Sequence, residues 1–104
     1  MKNDSLSAVL SALSDDTRRS MLSRLARREH NVSALTQEYA VSQPAISKHL
    51  RILEKAGLVT RTKSGRETIV RIDPGPLRQV TDWIEIYTRH WEEQFDAVDA
   101  YLSN

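Results

Sequence analysis

The chain has 104 residues, of which 39% are hydrophobic and 28% are charged, a composition that predicts one folded domain rather than a disordered chain. It contains no cysteine, which excludes a disulfide framework, a thiolate metal site and a cysteine nucleophile. No stretch approaches the roughly 20 apolar residues of a membrane span, and the N-terminus does not lead into the apolar core of a signal peptide. A cytoplasmic protein with no membrane partner is therefore expected.

The charges are unevenly distributed, although the net charge is only +1. Residues 41–72 hold seven Lys or Arg and two Glu, a charge of +5, whereas residues 76–104 hold two Arg and six acids, a charge of −4. A polyanion can therefore lie against the middle of the chain but not against its end. Nucleic acid is the obvious polyanion.

The first part of the chain predicts two helices. Apolar residues at i, i+3, i+4 and i+7 predict a short helix over residues 5–13, and Ser14 is placed to cap a second helix that runs to about Arg28. Arg18 and Arg19 belong to a run of arginines on the second helix. These arginines are expected to form a solvated face, from which Arg18 or Arg19 could reach a phosphate.

A helix-turn-helix is predicted over about residues 33–56. A short helix ends near residue 39, and Ser42 is suited to cap the next helix, with Pro44 in a first turn that does not need its N–H. Such an arrangement would hold Gln43 and Ser47 against base edges in a major groove. An ordinary amphipathic surface helix is the alternative. Apolar residues follow one face of this helix, and the other face carries Gln43, Ser47, Lys48, Arg51 and Lys55.

The following segment, at about residues 58–72, predicts a β-hairpin. Gly57 is suited to the left-handed position that ends the preceding helix, and two runs of strand composition flank a glycine-containing turn. A hairpin directly after a helix-turn-helix is a wing, and Arg61, Lys63 and Arg66 would hold phosphates or enter the neighbouring minor groove. A solvated hairpin tip accounts for any one of these charges, but less readily for their cluster beside a basic helix.

One long helix is predicted at about residues 76–102, where apolar and aromatic residues repeat at steps of three and four. A small core cannot cover so long a stripe, so we expect the same helix of a second copy to cover it in a twofold dimer. Packing against residues 5–13 is the alternative, and both are expected in part. A dimer would set two recognition helices about 34–36 Å apart, on a palindromic site. The predicted dimer-interface residues are Leu6, Leu10, Leu77, Val80, Ile84, Tyr87, Trp91, Phe95, Val98 and Leu102.

These elements together predict a mainly α (α+β) fold. It is a single winged helix-turn-helix domain over residues 1–104, with a two-stranded wing and a long C-terminal dimerisation helix.

Four motifs, at residues 13–19, 32–35, 42–50 and 53–59, are similar to those of the ArsR family of bacterial winged-helix repressors. The resemblance covers nearly the whole chain and is most specific from Ser42 to Val59. It implies a homodimer that binds a double-stranded DNA operator and blocks transcription until a signal releases it.

The family resemblance also implies that Gln43 contacts bases, with Ser47, Lys48 and His49 nearby. His49 lies toward the buried stripe of its helix, where it also fits a hydrogen-bonded core histidine. The predicted DNA-binding residues are Ser42, Gln43, Ser47, Lys48, His49, Arg51, Arg61, Lys63 and Arg66.

Two departures from the family pattern bear on metal sensing. Many members bind metal through a Cys-Val-Cys pattern, where this chain has Asn31-Val32-Ser33, and others through an Asp-x-His pair, where it has Asp82-Trp83-Ile84. His90 and Glu93 share a helix face and could chelate only weakly. We therefore expect no metal site and no cofactor, with a metal-sensing repressor as the less favoured alternative. The inducer, if it is a small molecule, is left open.

Two other classes of function were weighed. A winged helix can bind a protein instead of DNA, through the seam on the helix at residues 76–102. An enzyme would need a nucleophile with its base and acid, a phosphate-cradling glycine loop or a metal cluster, and the sequence predicts none of these. We therefore do not expect catalysis.

Overall fold

The computed structural model describes residues 2–103, and the side chains of all of these except residues 2–4, 97, 98, 100 and 103. It has the winged helix-turn-helix fold that the sequence predicts. The elements follow in the order α1 (Lys2–Ala12), α2 (Asp16–Arg27), β1 (His30–Asn31), α3 (Val32–Gln37), α4 (Gln43–Lys55), β2 (Val59–Ser64), β3 (Glu67–Ile72) and α5 (Leu77–Ser103).

The turn between α1 and α2 differs from the prediction, because Ser14 does not cap α2. Its hydroxyl instead donates to the carbonyl of Ser11 at 2.6 Å, at the end of α1. Asp15 is the N-cap, with an extended backbone and a carboxylate oxygen that accepts from the backbone N–H of Arg18 at 3.0 Å. This hydrogen bond to the charged form lowers the pKa of Asp15.

The helix-turn-helix is formed by α3 and α4, and side chains cap both helices. Asn31 accepts from the N–H of Ala34 at 2.6 Å, and Ser42 accepts from the N–H of Ala45 at 3.3 Å, as predicted for Ser42. Gly57, with φ of 77°, ends α4 in the predicted left-handed conformation. The N–H of Gly57 bonds to the carbonyl of Glu54, and the next N–H bonds to the carbonyl of Leu53, a Schellman motif that stops α4 where the wing begins.

The wing is part of a three-stranded antiparallel sheet in the order β1-β3-β2. The hairpin of β2 and β3 was predicted, whereas β1 was not, so the prediction of two strands was incomplete. β1 has only two residues, His30 and Asn31, which is too short for an alternating pattern, and it pairs with Val70 and Ile69 of β3. At the hairpin tip Gly65 has φ of 63° and is followed by a residue with negative φ, the geometry of a type II′ turn.

The core lies between the helices and the base of the sheet. Ile46, Leu50 and Leu53 form the buried face of α4 and are fully enclosed. α4 thus turns one face inward and leaves its polar face outside. The other fully buried apolar side chains include Val9, Met21, Leu25, Leu35, Leu58, Val59 and Val70.

The helix α5 begins on this core and then leaves it. Leu77 and Val80 pack against the core, and α1 packs against the same helix. The large apolar side chains from Trp83 onward that the structure describes are exposed. The molecule is consequently 68 Å long but only 20 Å thick. Within the described range 2–103, none of the helices combines the length and the apolar character that crossing a membrane requires.

Candidate nucleic-acid interface

The polar face of α4 is accessible. Gln43, Lys48 and Arg51 are exposed, and Ser47 is partly exposed one turn after Gln43. Because residues four apart in a helix lie on the same side, Gln43, Ser47 and Arg51 form one row along α4. A helix with this kind of free face can enter a major groove.

A polar groove of about 340 Å³ separates α4 from the wing. Four of the predicted DNA-binding residues meet there: Gln43 and Ser47 from α4, and Arg61 and Arg66 from the wing. The fold therefore brings together residues that are up to 23 positions apart in the sequence, from Gln43 to Arg66. The other lining residues are Asn31, Val32, Ser33, Glu67 and Thr68.

The three wing cations of the predicted DNA-binding set, Arg61, Lys63 and Arg66, have different surroundings. Arg61 donates from Nε at 3.2 Å and from Nη2 at 2.7 Å to Oε1 of Glu54, so it ties the wing to α4. Lys63 and Arg66 are exposed near the hairpin tip, and neither forms an ion pair with a side chain in the described part of the chain. Arg61 is thus held by the protein, whereas Lys63 and Arg66 can turn toward a phosphate.

His49 lies on the flank of α4 that faces α2, away from the groove. Its Nδ1 is 3.2 Å from Nη1 of Arg18 and 4.0 Å from Oδ2 of Asp15. The hydrogen bond that the sequence allows for His49 is observed, although its side chain is partly exposed rather than in the core. Arg18 itself is 9% exposed, so the expectation that it belongs to a solvated face was wrong. Its guanidinium is buried because it bonds to the carbonyls that end α1.

Several groove residues were missed by the sequence reasoning. Asn31 caps α3 and its Nδ2 donates to Oε1 of Glu67 at 3.1 Å, which joins the helix-turn-helix to β3. Asn31 is interpreted from the sequence only as a position that lacks cysteine, and Ser33 also as the start of the predicted helix-turn-helix. An asparagine just before an apolar helix is an N-cap signal that could have placed Asn31. The pairing of β1 with β3, which brings Asn31 beside Glu67, has no local signal.

An aromatic ridge runs along the exposed part of α5. Trp83 and Tyr87 pack edge to face with ring centroids 5.5 Å apart, and Trp91 and Phe95 do the same at 4.9 Å. Their exposed fractions range from 40% for Trp83 to 63% for Trp91. So many large apolar side chains in contact with water mark an interaction surface.

The predicted dimer residues differ in their exposure. Leu6 and Leu10 of α1 are half-buried, and Leu77 and Val80 pack against the core of the same chain. The side chain of Val98 lies outside the described residues. The remaining five, Ile84, Tyr87, Trp91, Phe95 and Leu102, are exposed.

Comparison with known proteins identifies the family. Residues 15–61 match the model of bacterial regulatory proteins of the arsR family. The HTH-type transcriptional regulator Rv2034 of Mycobacterium tuberculosis is 38% identical over 90 residues, which cover 86% of this chain and 84% of the relative. The chain belongs to the ArsR family of transcriptional regulators.

Solved structures of ArsR proteins agree with this assignment. The crystal structure of an ArsR family transcriptional regulator has a TM-score of 0.81 and 32% identity, and the match covers 86% of this chain and 93% of that one. A homodimeric winged helix-turn-helix DNA-binding domain, Mb0332 of Mycobacterium bovis, has a TM-score of 0.67 and 25% identity, over 86% of this chain and 84% of that one. The recognition of the family from four short motifs was therefore correct.

Asn31 has a structural role in this ArsR-family chain. Asn31, at the first position of the Cys-Val-Cys pattern, caps α3 with its side-chain oxygen and holds Glu67 with its amide nitrogen. Among the described residues, no three His, Asp or Glu side chains lie close enough together to hold a metal ion.

Proposed function

We propose that this regulator is a homodimeric repressor that binds a palindromic operator in double-stranded DNA. The observation that supports the proposal most strongly is the groove between α4 and the wing. Gln43 and Ser47 line it from the helix. Lys63 and Arg66, which form no side-chain ion pair among the described residues, stand near the tip of the wing. A polar helix face beside exposed cations is what a protein needs to read bases while it holds the backbone.

The residues proposed to contact DNA divide into base readers and phosphate anchors. Gln43 can pair with two atoms of an adenine edge, and Ser47 can donate to or accept from a base one turn further along. Lys48, Arg51, Lys63 and Arg66 are the proposed phosphate contacts, because all four are exposed. Ser42 is exposed at the start of α4. Its N-cap hydrogen bond stabilises the first turn of this helix, which is the part proposed to approach the DNA.

Two residues of the predicted DNA-binding set have other roles in this proposal. Arg61 orients the wing through Glu54 and adds positive charge beside the phosphates. His49 is left out of the contact set because its Nδ1 is engaged with Arg18 on the far flank of α4. The proposed contact surface is therefore smaller than the sequence indicated.

The second copy is proposed to cover the aromatic ridge on α5. Trp91 is 63% exposed and Tyr87 is 59% exposed, and burying aromatic side chains of this size is strongly favourable. The acidic residues of α5 keep this surface away from the DNA, so that dimerisation and DNA binding use opposite ends of the molecule. A dimer seated on its operator excludes the transcription machinery from the same DNA, which is repression. An inducer, for which we propose a small molecule, would release it.

The proposal is tested by titrating the protein against its own upstream DNA at several salt concentrations. If roughly six phosphates are held per dimer, log K should fall with log salt at a slope of about −5. Gel shifts or fluorescence anisotropy with an unrelated duplex of equal length serve as the control. An affinity that does not change with salt, or no binding at micromolar protein, would contradict the proposal.

A second candidate function is a protein-binding module that works through α5, which the exposed aromatic ridge favours. The two candidates are separated by a variant in which Lys48, Lys63 and Arg66 are all replaced by alanine. DNA binding by α4 and the wing predicts that this variant loses its DNA affinity. A module that works through α5 predicts that the variant retains its partner.

A further inference from the structure

A single buried arginine connects two parts of the fold that the proposed function uses separately. Nε of Arg18 donates to the carbonyl of Ala12 at 2.7 Å, and Nη2 donates to the carbonyl of Ser11 at 3.2 Å. Both carbonyls end α1. Nη1 of the same guanidinium lies 3.2 Å from Nδ1 of His49, which belongs to the recognition helix α4.

The chemistry of this contact fixes the direction of its hydrogen bond. A guanidinium has donors and no acceptor, so Arg18 donates and Nδ1 of His49 accepts without carrying a proton. Asp15, which caps α2, places Oδ2 at 4.0 Å from the same Nδ1. Residues of α1, α2 and α4 thus meet at the guanidinium of Arg18. Because this group is planar and almost fully buried, it has little freedom to move.

α1 also contacts α5, the helix that is proposed to form the dimer. α1 packs against α5, and Nε2 of Gln79 in α5 donates to the hydroxyl of Ser5 at 2.9 Å. A continuous path therefore runs from α5 through α1 and Arg18 to His49. In a dimer built on α5, this path defines the angle between each recognition helix and the dimer axis.

We propose that Arg18 and His49 are positioning residues that set the orientation of the recognition helix relative to the dimer-forming helices. This inference rests on the proposed dimeric DNA-binding function. Reading two half-sites at once requires two recognition helices at a fixed separation, about one turn of DNA apart. Loosening the contact between Arg18 and His49 removes that fixed separation but leaves each helix and its side chains in place.

A neighbouring residue provides a matched control. Nη1 of Arg19 donates to the carbonyl of Leu13 at 2.6 Å, so Arg19 also caps the end of α1. Arg19 is exposed and makes no hydrogen bond to α4. Replacing it removes an arginine-to-carbonyl bond at the same helix end without touching the recognition helix.

The first test compares affinities for the whole operator and for a single half-site duplex at low salt. His49→Leu removes the acceptor and should lower affinity for the whole operator about tenfold, with half-site affinity and dimerisation unchanged. His49→Asn supplies a carbonyl oxygen as acceptor and should restore most of the loss. Arg19→Met should bind both duplexes as the unmodified protein does.

The second test measures the coupling between the two residues. Arg18→Met and His49→Leu should each lower affinity for the whole operator. The double variant should bind no more weakly than Arg18→Met alone, because the contact between Arg18 and His49 is already lost in either single variant. If Arg18→Met does not fold, the comparison of His49→Asn with His49→Leu decides.

Three outcomes would overturn the inference. Equal losses on the whole operator and on the half-site would mean that His49 contacts DNA itself, and additive losses would mean that Arg18 and His49 act independently. Unchanged operator affinity in His49→Leu would mean that the contact between Arg18 and His49 does not position the recognition helix. If the unmodified protein is monomeric or binds no DNA, the proposed function fails first and the inference fails with it.

Discussion

Replacing Trp91 with glutamate should convert the protein to monomers and abolish operator binding. Trp91 is 63% exposed in the single chain and lies at the middle of the aromatic ridge, packed edge to face against Phe95. In the proposed dimer this position becomes buried, where an unpaired carboxylate is strongly unfavourable. A monomer has only one recognition helix, so operator affinity should fall by several orders of magnitude, as expected when two linked contacts become one.

Sedimentation velocity at micromolar concentration, with an operator titration on the same samples, checks this result. Trp91→Phe keeps an aromatic ring and should remain dimeric, and circular dichroism should show that both variants retain their helices. A dimeric Trp91→Glu variant with full affinity would mean that α5 does not form the interface.

Replacing Gln43 with alanine should remove sequence preference, with less effect on affinity for DNA in general. Gln43 lines the groove and carries no charge, so its contribution to binding must come from hydrogen bonds to particular bases. A good bidentate pair discriminates by about 1–3 kcal/mol and a dimer has two, so operator affinity should fall roughly thirtyfold or more while affinity for unrelated DNA stays the same.

Lys63→Ala is the matched comparison for Gln43→Ala. Lys63 is exposed near the tip of the wing, where it can hold a phosphate of any sequence. Its removal should weaken binding to operator and unrelated DNA alike and should make the salt dependence less steep. Competition titrations with both duplexes give the ratio of affinities directly. If the two variants change this ratio equally, the assignment of Gln43 as reader and Lys63 as anchor is wrong.

Local signals accounted for most of the fold. Ser42 followed by Pro44 marks the start of α4, where a side chain must cap the helix, and Gly57 marks its end, where the backbone is left-handed. The apolar residues at steps of three and four predicted α5 without reference to any element that packs against it. Each of these features is decided within a few residues of the chain.

Contacts between distant residues could not be predicted in the same way. Arg18 was expected in solvent, yet it is buried by the carbonyl of Ala12 and by His49, 31 positions further along. Arg61 was expected as a phosphate anchor, yet its guanidinium is engaged by Glu54. The sequence around a charged residue does not reveal which partner the fold will bring to it. A cation with a partner inside the protein positions other elements, whereas a cation without one is available to a phosphate.

A cleavage footprint of the protein on its own upstream DNA tests the central claim most directly. A homodimer that inserts α4 into successive major grooves should protect two patches related by twofold symmetry, with centres about one helical turn apart. The bases within them should be those at which Gln43→Ala loses its preference. A single unsymmetrical patch, or no protected sequence at a concentration at which the protein is dimeric, would contradict the account.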